Sequence, residues 1–229
     1  MPGPTQDRRT RGDKRERRAS SRRKSRGPDA DRVRSVLAQE AAKYIAEGAM
    51  GDFHAAKLKA AEKLGLGNAG GLPTNAEIEA AITAHQRLFH GEAHRQHVRT
   101  LREAALIELV RLNAYGPRLV GTVLSGTANA TALIELHVFF EPSEQVGEFL
   151  ESQLGSIQSG ARRHKFAGGD RADFPSYVYT ASGNDIEVVV FPYRMRAQPP
   201  LDPVNQRAMS RASLEHVREL LSADDTPDA

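Results

Sequence analysis

Two acids set inside apolar runs are the residues of this sequence best placed to do chemistry. Glu135 lies in Leu133-Ile134-Glu135-Leu136-His137-Val138, and Glu187 in Asp185-Ile186-Glu187-Val188-Val189-Val190. A carboxylate among β-branched and aliphatic neighbours is costly to bury, so each needs a partner or a task. Strand alternation puts Leu133, Glu135 and His137 on one face and Ile134, Leu136 and Val138 on the other. The same alternation groups Asp185, Glu187 and Val189, so the two glutamates meet if their strands are neighbours. A plainer reading stands beside this one. Glu135 and Glu187 could pair with Arg118, Arg162, Arg163 or His137 on the polar face of a half-exposed sheet.

The segment before Glu135 sharpens the first reading. Leu119 to Phe140 holds two strand-like runs joined by a connector of small residues, with Gly121-Thr122-x-x-x-Gly126 at its start. This spacing resembles the signature of the nucleotidyltransferase superfamily, the DNA polymerase β-like fold. There a Gly-Ser turn and a later glycine lead into a strand written Ser-Asp-x-Asp-hydrophobic. Gly121 and Thr122 fall on the Gly-Ser pair, Gly126 on the later glycine, and Ala132-Leu133-Ile134-Glu135-Leu136 on the strand. The departures lie where the chemistry sits: Leu133 takes the first aspartate position, Glu135 the second and Ala132 the serine.

The resemblance, which covers about residues 118–191, implies specific roles. Glu135 and Glu187 would be the catalytic carboxylates holding Mg²⁺ or Mn²⁺ against a nucleotide's phosphates, aligning an in-line displacement. His137 is the candidate replacement ligand, although imidazole suits Zn²⁺ or Mn²⁺ better than Mg²⁺. Gly121, Thr122, Ser125 and Gly126 would form the nucleotide-binding turn, its amides and hydroxyls cradling phosphate; the alternative is a plain tight turn. A metal contributes several kcal/mol to such a transition state, so losing one costs on the order of a thousandfold in rate. The function expected is a divergent, weakly active nucleotidyltransferase moving a nucleotide from an NTP to an unknown acceptor. The alternative is a non-catalytic nucleotide- or nucleic-acid-binding module of the same fold. The chain has no Gly-x-x-x-x-Gly-Lys-Ser/Thr loop, which argues against a P-loop ATPase.

The elements that must position these residues are legible from pattern. Residues 1–28 carry eleven Arg and Lys against three acids, leaving the other 201 residues with 21 basic and 26 acidic side chains. This stretch, with little to bury, reads as a disordered basic tail. Arg8 to Arg26 could neutralise nucleic-acid phosphates; a solvated tail without a partner, or a misassigned start codon, are the other readings. Residues 29–116 read as a helical region: Asp29 can cap the first helix, Asp52 the second, and Thr74-Asn75-Ala76-Glu77 has capping-box form before the third. A fourth helix runs from about Glu92 to Asn113. His90, His94 and His97 within this region read better as a solvated helix face than as a metal site.

Residues 117–222 read as the nucleotidyltransferase-like core with a closing helix near Ser213–Leu221, and 223–229 as a disordered tail. The fold class is therefore α+β: a helical N-terminal unit, a small mixed sheet and a C-terminal helix. There are no cysteines, so disulfides and thiolate metal sites are excluded. No apolar stretch approaches the roughly 20 residues of a membrane span, and the N-terminus lacks a signal-peptide core. A cytoplasmic location with no membrane partner is expected.

Overall fold

Three amphipathic helices come first, and they pack on one another. The computed structural model describes residues 28–50, 52–66, 71–89 and 91–224. The basic tail up to residue 27, the C-terminal residues 225–229, Gly51, residues 67–70 and His90 lie outside the described residues. Helices α1 (Pro28–Ala46), α2 (Phe53–Lys63) and α3 (Asn75–Phe89) come before α4 (Gly91–Arg111). Leu37, Ala38, Ala41 and Ala42 of α1 meet Ala56 and Ala60 of α2 and Ile78 and Ile82 of α3 in a small core.

Two of the three expected caps form, while Asp29 falls inside α1, which already begins at Pro28. Asp52 accepts from the Ala55 amide at 2.8 Å. In the Thr74–Glu77 box the Thr74 hydroxyl accepts from the Glu77 amide at 3.2 Å, and Glu77 Oε2 accepts from the Thr74 amide at 2.7 Å. Each arrangement satisfies backbone donors that the first helical turn leaves orphaned.

The fourth helix belongs elsewhere. Val98, Leu101, Ala105, Leu109 and Leu112 pack into a larger core with Ile134, Leu136, Val138, Ile186, Val188 and Val190. Its stripe is at helical spacing, as expected, but it covers a sheet and not the three preceding helices. Periodicity marks which face is buried, not what buries it.

That sheet has five strands in the order β1-β2-β5-β4-β3: β1 (Arg118–Val120), β2 (Ile134–Phe139), β3 (Gln158–Lys165), β4 (Arg171–Ala181) and β5 (Asn184–Phe191). β2 and β5 are parallel, and the other neighbouring pairs are antiparallel. Between β1 and β2 lies a short helix α5 (Gly121–Ser125); α6 (Glu144–Leu154) follows β2, and α7 (Leu214–Asp224) closes the chain. Helices α4, α6 and α7 cover one face of the sheet, with Val146, Leu150 and Val217 in its core.

The chain is α+β, with helices at the N-terminus, a mixed sheet and a C-terminal helix. Among the described residues no helix is long and apolar enough to cross a membrane. The second sheet face carries Glu135, His137 and Phe139 on β2 beside Glu187, Val189 and Phe191 on β5. A small apolar cluster of Phe139, Phe174, Val189 and Phe191 is built on it. Phe166 from the β3–β4 turn and Met195 from the chain after β5 pack against it. This is the face that holds the candidate site.

Candidate functional site

Register decides the first question. In the parallel pair β2–β5, Glu135 stands directly opposite Glu187 and His137 opposite Val189. Parallel neighbours in register point the same way, so the two acids share a face. Glu187 is 5% exposed, while the Glu135 side chain keeps 29% exposure. Two like charges this close need a cation, and Arg162 of β3 supplies it. Its guanidinium nitrogens lie 3.8 Å from Glu135 Oε2 and 3.6 Å from Glu187 Oε2. Of the four partners named from sequence, Arg162 is the one that reaches both acids. These are ion-pair separations and not hydrogen bonds; Glu187 Oε2 is buried without a hydrogen-bond partner. Burial pushes the Glu135 carboxyl above its ordinary pKa; the Arg162 charge opposes that, and the Glu187 charge adds to it.

Gly121 is fitted to this carboxylate. Its φ is +70°, and a Cβ there would stand 2.5 Å from Glu135 Oε1. A larger residue would be strained and would displace the acid. Gly121 thus joins Glu135 and Glu187 in one place.

The rest of the proposed nucleotide turn is organised differently. Residues 121–125 form a short helix, whose far end is tied to α4. Arg102 donates to the carbonyls of Val123 at 3.2 Å and Leu124 at 3.1 Å, and His94 Nε2 meets the Gly126 carbonyl at 2.9 Å. The Ser125 hydroxyl donates within the turn to the Thr122 carbonyl at 3.3 Å and shares a hydrogen bond with the Thr127 hydroxyl at 2.8 Å. Thr122 is exposed. Five residues of helix rise roughly 7 Å, which separates Ser125 and Gly126 from the carboxylates.

The histidines of α4 correct the expectation of a solvated face. His97 Nε2 lies 2.9 Å from the Asn129 carbonyl, and both His94 and His97 are partly buried where they hold the connector before β2. Carbonyls left unpaired by an irregular connector need donors, and these imidazoles are in reach.

His137 shares the face of Glu135 but is enclosed. It is 1% exposed, and its Nδ1 accepts from Arg211 Nε at 3.1 Å. Burial first, then the charge of Arg211, holds its pKa well below the ordinary value. His164 packs edge-on against it, centroids 5.4 Å apart. Burial, with Arg162 and Arg211 nearby, lowers His164 to about 4. Both imidazoles are neutral at neutral pH.

Arg211 lies over the rings of Phe139 and Phe191, at 4.9 and 5.1 Å from their centroids, and burial lowers its pKa to about 10. Its Nη2, like His164 Nε2 and Glu187 Oε2, is buried with no hydrogen-bond partner. Orphaned polar atoms grouped on one face are what a site for water or ligand would leave.

Beside Glu135 a cavity of about 500 Å³ opens against β3 and the irregular chain after β5. Arg162, Arg163, His164, Lys165 and Arg171 line it, with Leu201 and Met209 on the apolar side. Lys165 and Arg171 are cross-strand partners at the β3–β4 hairpin. Arg163 is held by Asp173 in a two-pronged pair at 2.7 Å.

The ion implied by the resemblance, Mg²⁺ or Mn²⁺ at Glu135, Glu187 and His137, does not fit the residues as they stand. Arg162 already faces both carboxylates, and His137 Nδ1 is engaged by Arg211. Among the described residues no group of three His, Asp or Glu side chains is arranged to hold a metal.

His164, Lys165, Arg171 and Arg211 were missed by sequence reasoning. The run Arg162-Arg163-His164-Lys165 was a usable signal, since charges crowded into a strand must face something. Arg211 left none, because it sits in irregular chain between prolines and the last helix. Comparison of the chain with protein-family models, with curated proteins and with solved structures gives no match in any of the three.

Proposed function

We propose that this chain is a nucleotidyltransferase-like module that binds a phosphorylated ligand, a nucleotide in the simplest case, without a metal ion. The observation that carries the reading is Arg162, whose guanidinium faces Glu135 and Glu187 where a hard cation would otherwise be needed. The cavity's charge is graded. Lys165 and Arg171 at the hairpin end favour phosphate, while Glu135 at the other end accepts hydrogen bonds from a sugar hydroxyl or base amino group. Guanidinium and ammonium groups suit phosphate oxygens by charge and by geometry.

The test is titration of the purified protein with ATP and GTP, with Mg²⁺ and with EDTA. Binding that survives EDTA and weakens about tenfold or more in Arg171→Gln supports the reading. Binding that requires Mg²⁺ would sink it. A second reading, transfer of the nucleotide to an acceptor, is favoured by the in-register carboxylate pair. Pyrophosphate release in the same titration separates the two. The basic tail, Arg8 to Arg26, extends the first reading to nucleic acid. Its removal should then lower affinity and flatten the dependence on salt.

A further inference from the structure

The same sheet face carries a second concavity at its opposite end, away from Glu135. It measures about 470 Å³ and is bounded by the short turn Asn113–Tyr115, the start of β1, the end of β2, the turn Tyr193–Ala197 and the first residues of α7. Arg118, Arg196 and Tyr193 line it, with Phe139 and Phe140 as its apolar floor.

Charge is the unusual feature. Among the described residues no carboxylate pairs within 4 Å with Arg118, Arg196 or the adjacent Arg211. Arg118 donates only to the neighbouring Pro117 carbonyl, at 2.7 Å. Arg211 is fixed beside the cavity by donating to the carbonyls of Met195 and Arg196, each at 3.3 Å, and by lying over Phe139. Arg194, on the same turn, differs: it has Glu141 at 3.7 Å. Glu215 is the single acid in the lining. The charges press on one another: burial and Arg196 lower Arg118, and burial and Arg118 lower Arg211. Glu215 opposes the shift of Arg118 without reversing it, so the mutual repulsion of the guanidinium groups falls further when a second anion joins them.

Tyr193 supplies the second element of recognition. It is a large aromatic side chain left 63% exposed at the mouth of an arginine-lined hollow. A ring there offers a stacking surface to a planar group.

We propose that the Arg118–Arg196 cavity is a second anion site, taking a phosphate monoester whose planar organic part lies on Tyr193. The phosphate sits between the two guanidinium groups, and Arg211 strengthens the field from below without touching the ligand. Glu215 at the rim selects against ligands that carry further negative charge. The site does not depend on the cavity at Arg162, and its volume lies in the small-molecule range.

Backbone amide shifts of the full chain, titrated with inorganic phosphate and with phenyl phosphate, test the proposal. Saturable shifts at Asn113, Tyr193 and Arg196 are expected with both probes, phenyl phosphate binding several-fold tighter. Arg118→Gln and Arg196→Gln should each weaken both probes about tenfold. Tyr193→Ala should abolish only the preference for phenyl phosphate. Arg171→Gln, in the other cavity, should leave these shifts unchanged, so that failure at one site is distinguishable from failure at the other. Shifts confined to Lys165 and Arg171, or affinities at Arg196 indifferent to the two arginine substitutions, would overturn the second site.

Discussion

Glu135 and Glu187 stand opposite one another in the parallel pair β2–β5, on the sheet face opposite the one that α4, α6 and α7 cover. Their separation is set by hydrogen-bonded backbone and cannot relax much, so the charge between them must be supplied. In this chain it is supplied by Arg162. A guanidinium and a divalent ion compete for that position, and the competition can be measured.

Removing the guanidinium should expose the acid pair. Arg162→Ala leaves two carboxylates in register with no cation, which raises the pKa of one and destabilises the fold by about 1–3 kcal/mol. Mn²⁺, followed by its paramagnetic resonance signal, should bind the variant at least tenfold more tightly than the parent, and should raise the variant's melting temperature alone. Equal Mn²⁺ affinity in both proteins would mean that Arg162 does not occupy the cation's place.

Gly147 gives a prediction whose sign runs against helix propensity. It lies within α6, where Gly→Ala ordinarily stabilises by about 0.5–1 kcal/mol. Here a Cβ would stand 2.7 Å from Tyr177 Cζ and 2.8 Å from its hydroxyl oxygen. That ring is packed against the core and its hydroxyl reaches the Ser143 carbonyl at 3.4 Å, so it cannot swing away freely. Gly147→Ala should cost about 1–3 kcal/mol in urea unfolding, and Tyr177→Leu in the same chain should recover part of that. A stabilised single variant would show that the ring yields.

The strands and their alternation were legible because period-2 patterning and turn residues are local, whereas the adjacency of the two acid-bearing strands was a condition that only the resemblance supplied, since β3 and β4 lie between them in sequence. Thr74–Glu77 and Asp52 were legible as caps because their signals are local too. The partner of α4 was not, since a stripe of Val98, Leu101 and Leu109 would serve either a helix or a sheet. The nucleotide turn was half legible. Gly121 does lie against Glu135, but Ser125 and Gly126 are turned toward α4 by Arg102 and His94, long-range contacts with no local signature. Arg162 was one name among four, because nothing in the pattern says how far a side chain reaches across a twisted sheet.

Acid should weaken the fold through its buried imidazoles. His164 falls to about 4 in the folded chain from about 6.5 unfolded, and His137 shifts the same way. A depressed histidine is neutral in the fold, so its contribution is intact above about pH 6.5 and is lost as pH falls toward 4. His164 retains some solvent contact, and its share is discounted to about 1–2 kcal/mol across that window. Urea unfolding at pH 7.5, 6 and 4.5 should show the decline, and His164→Gln should flatten it. An unchanged slope in that variant would place the acid sensitivity elsewhere.

The sharpest distinction between a functional and a merely structural Glu135 comes from neutralising it. Its carboxyl is pushed up by burial, with Glu187 adding to the shift and Arg162 only partly opposing it. A raised acid contributes stability below its unfolded pKa and loses it as pH rises through the folded value, so at pH 7 the charged side chain is a cost. Glu135→Gln keeps the shape against Gly121, removes the repulsion toward Glu187 and leaves Arg162 to the remaining acid. Partial exposure limits the gain, which should be up to about 1 kcal/mol in chemical denaturation at pH 7. If Glu135 receives a ligand's hydroxyl or amino donor, the same variant should bind nucleotide more weakly. Stability and binding would then move in opposite directions. A Glu135→Gln protein that is destabilised by more than about 1 kcal/mol, with nucleotide affinity unchanged, would make Glu135 a structural partner of Arg162 and nothing more.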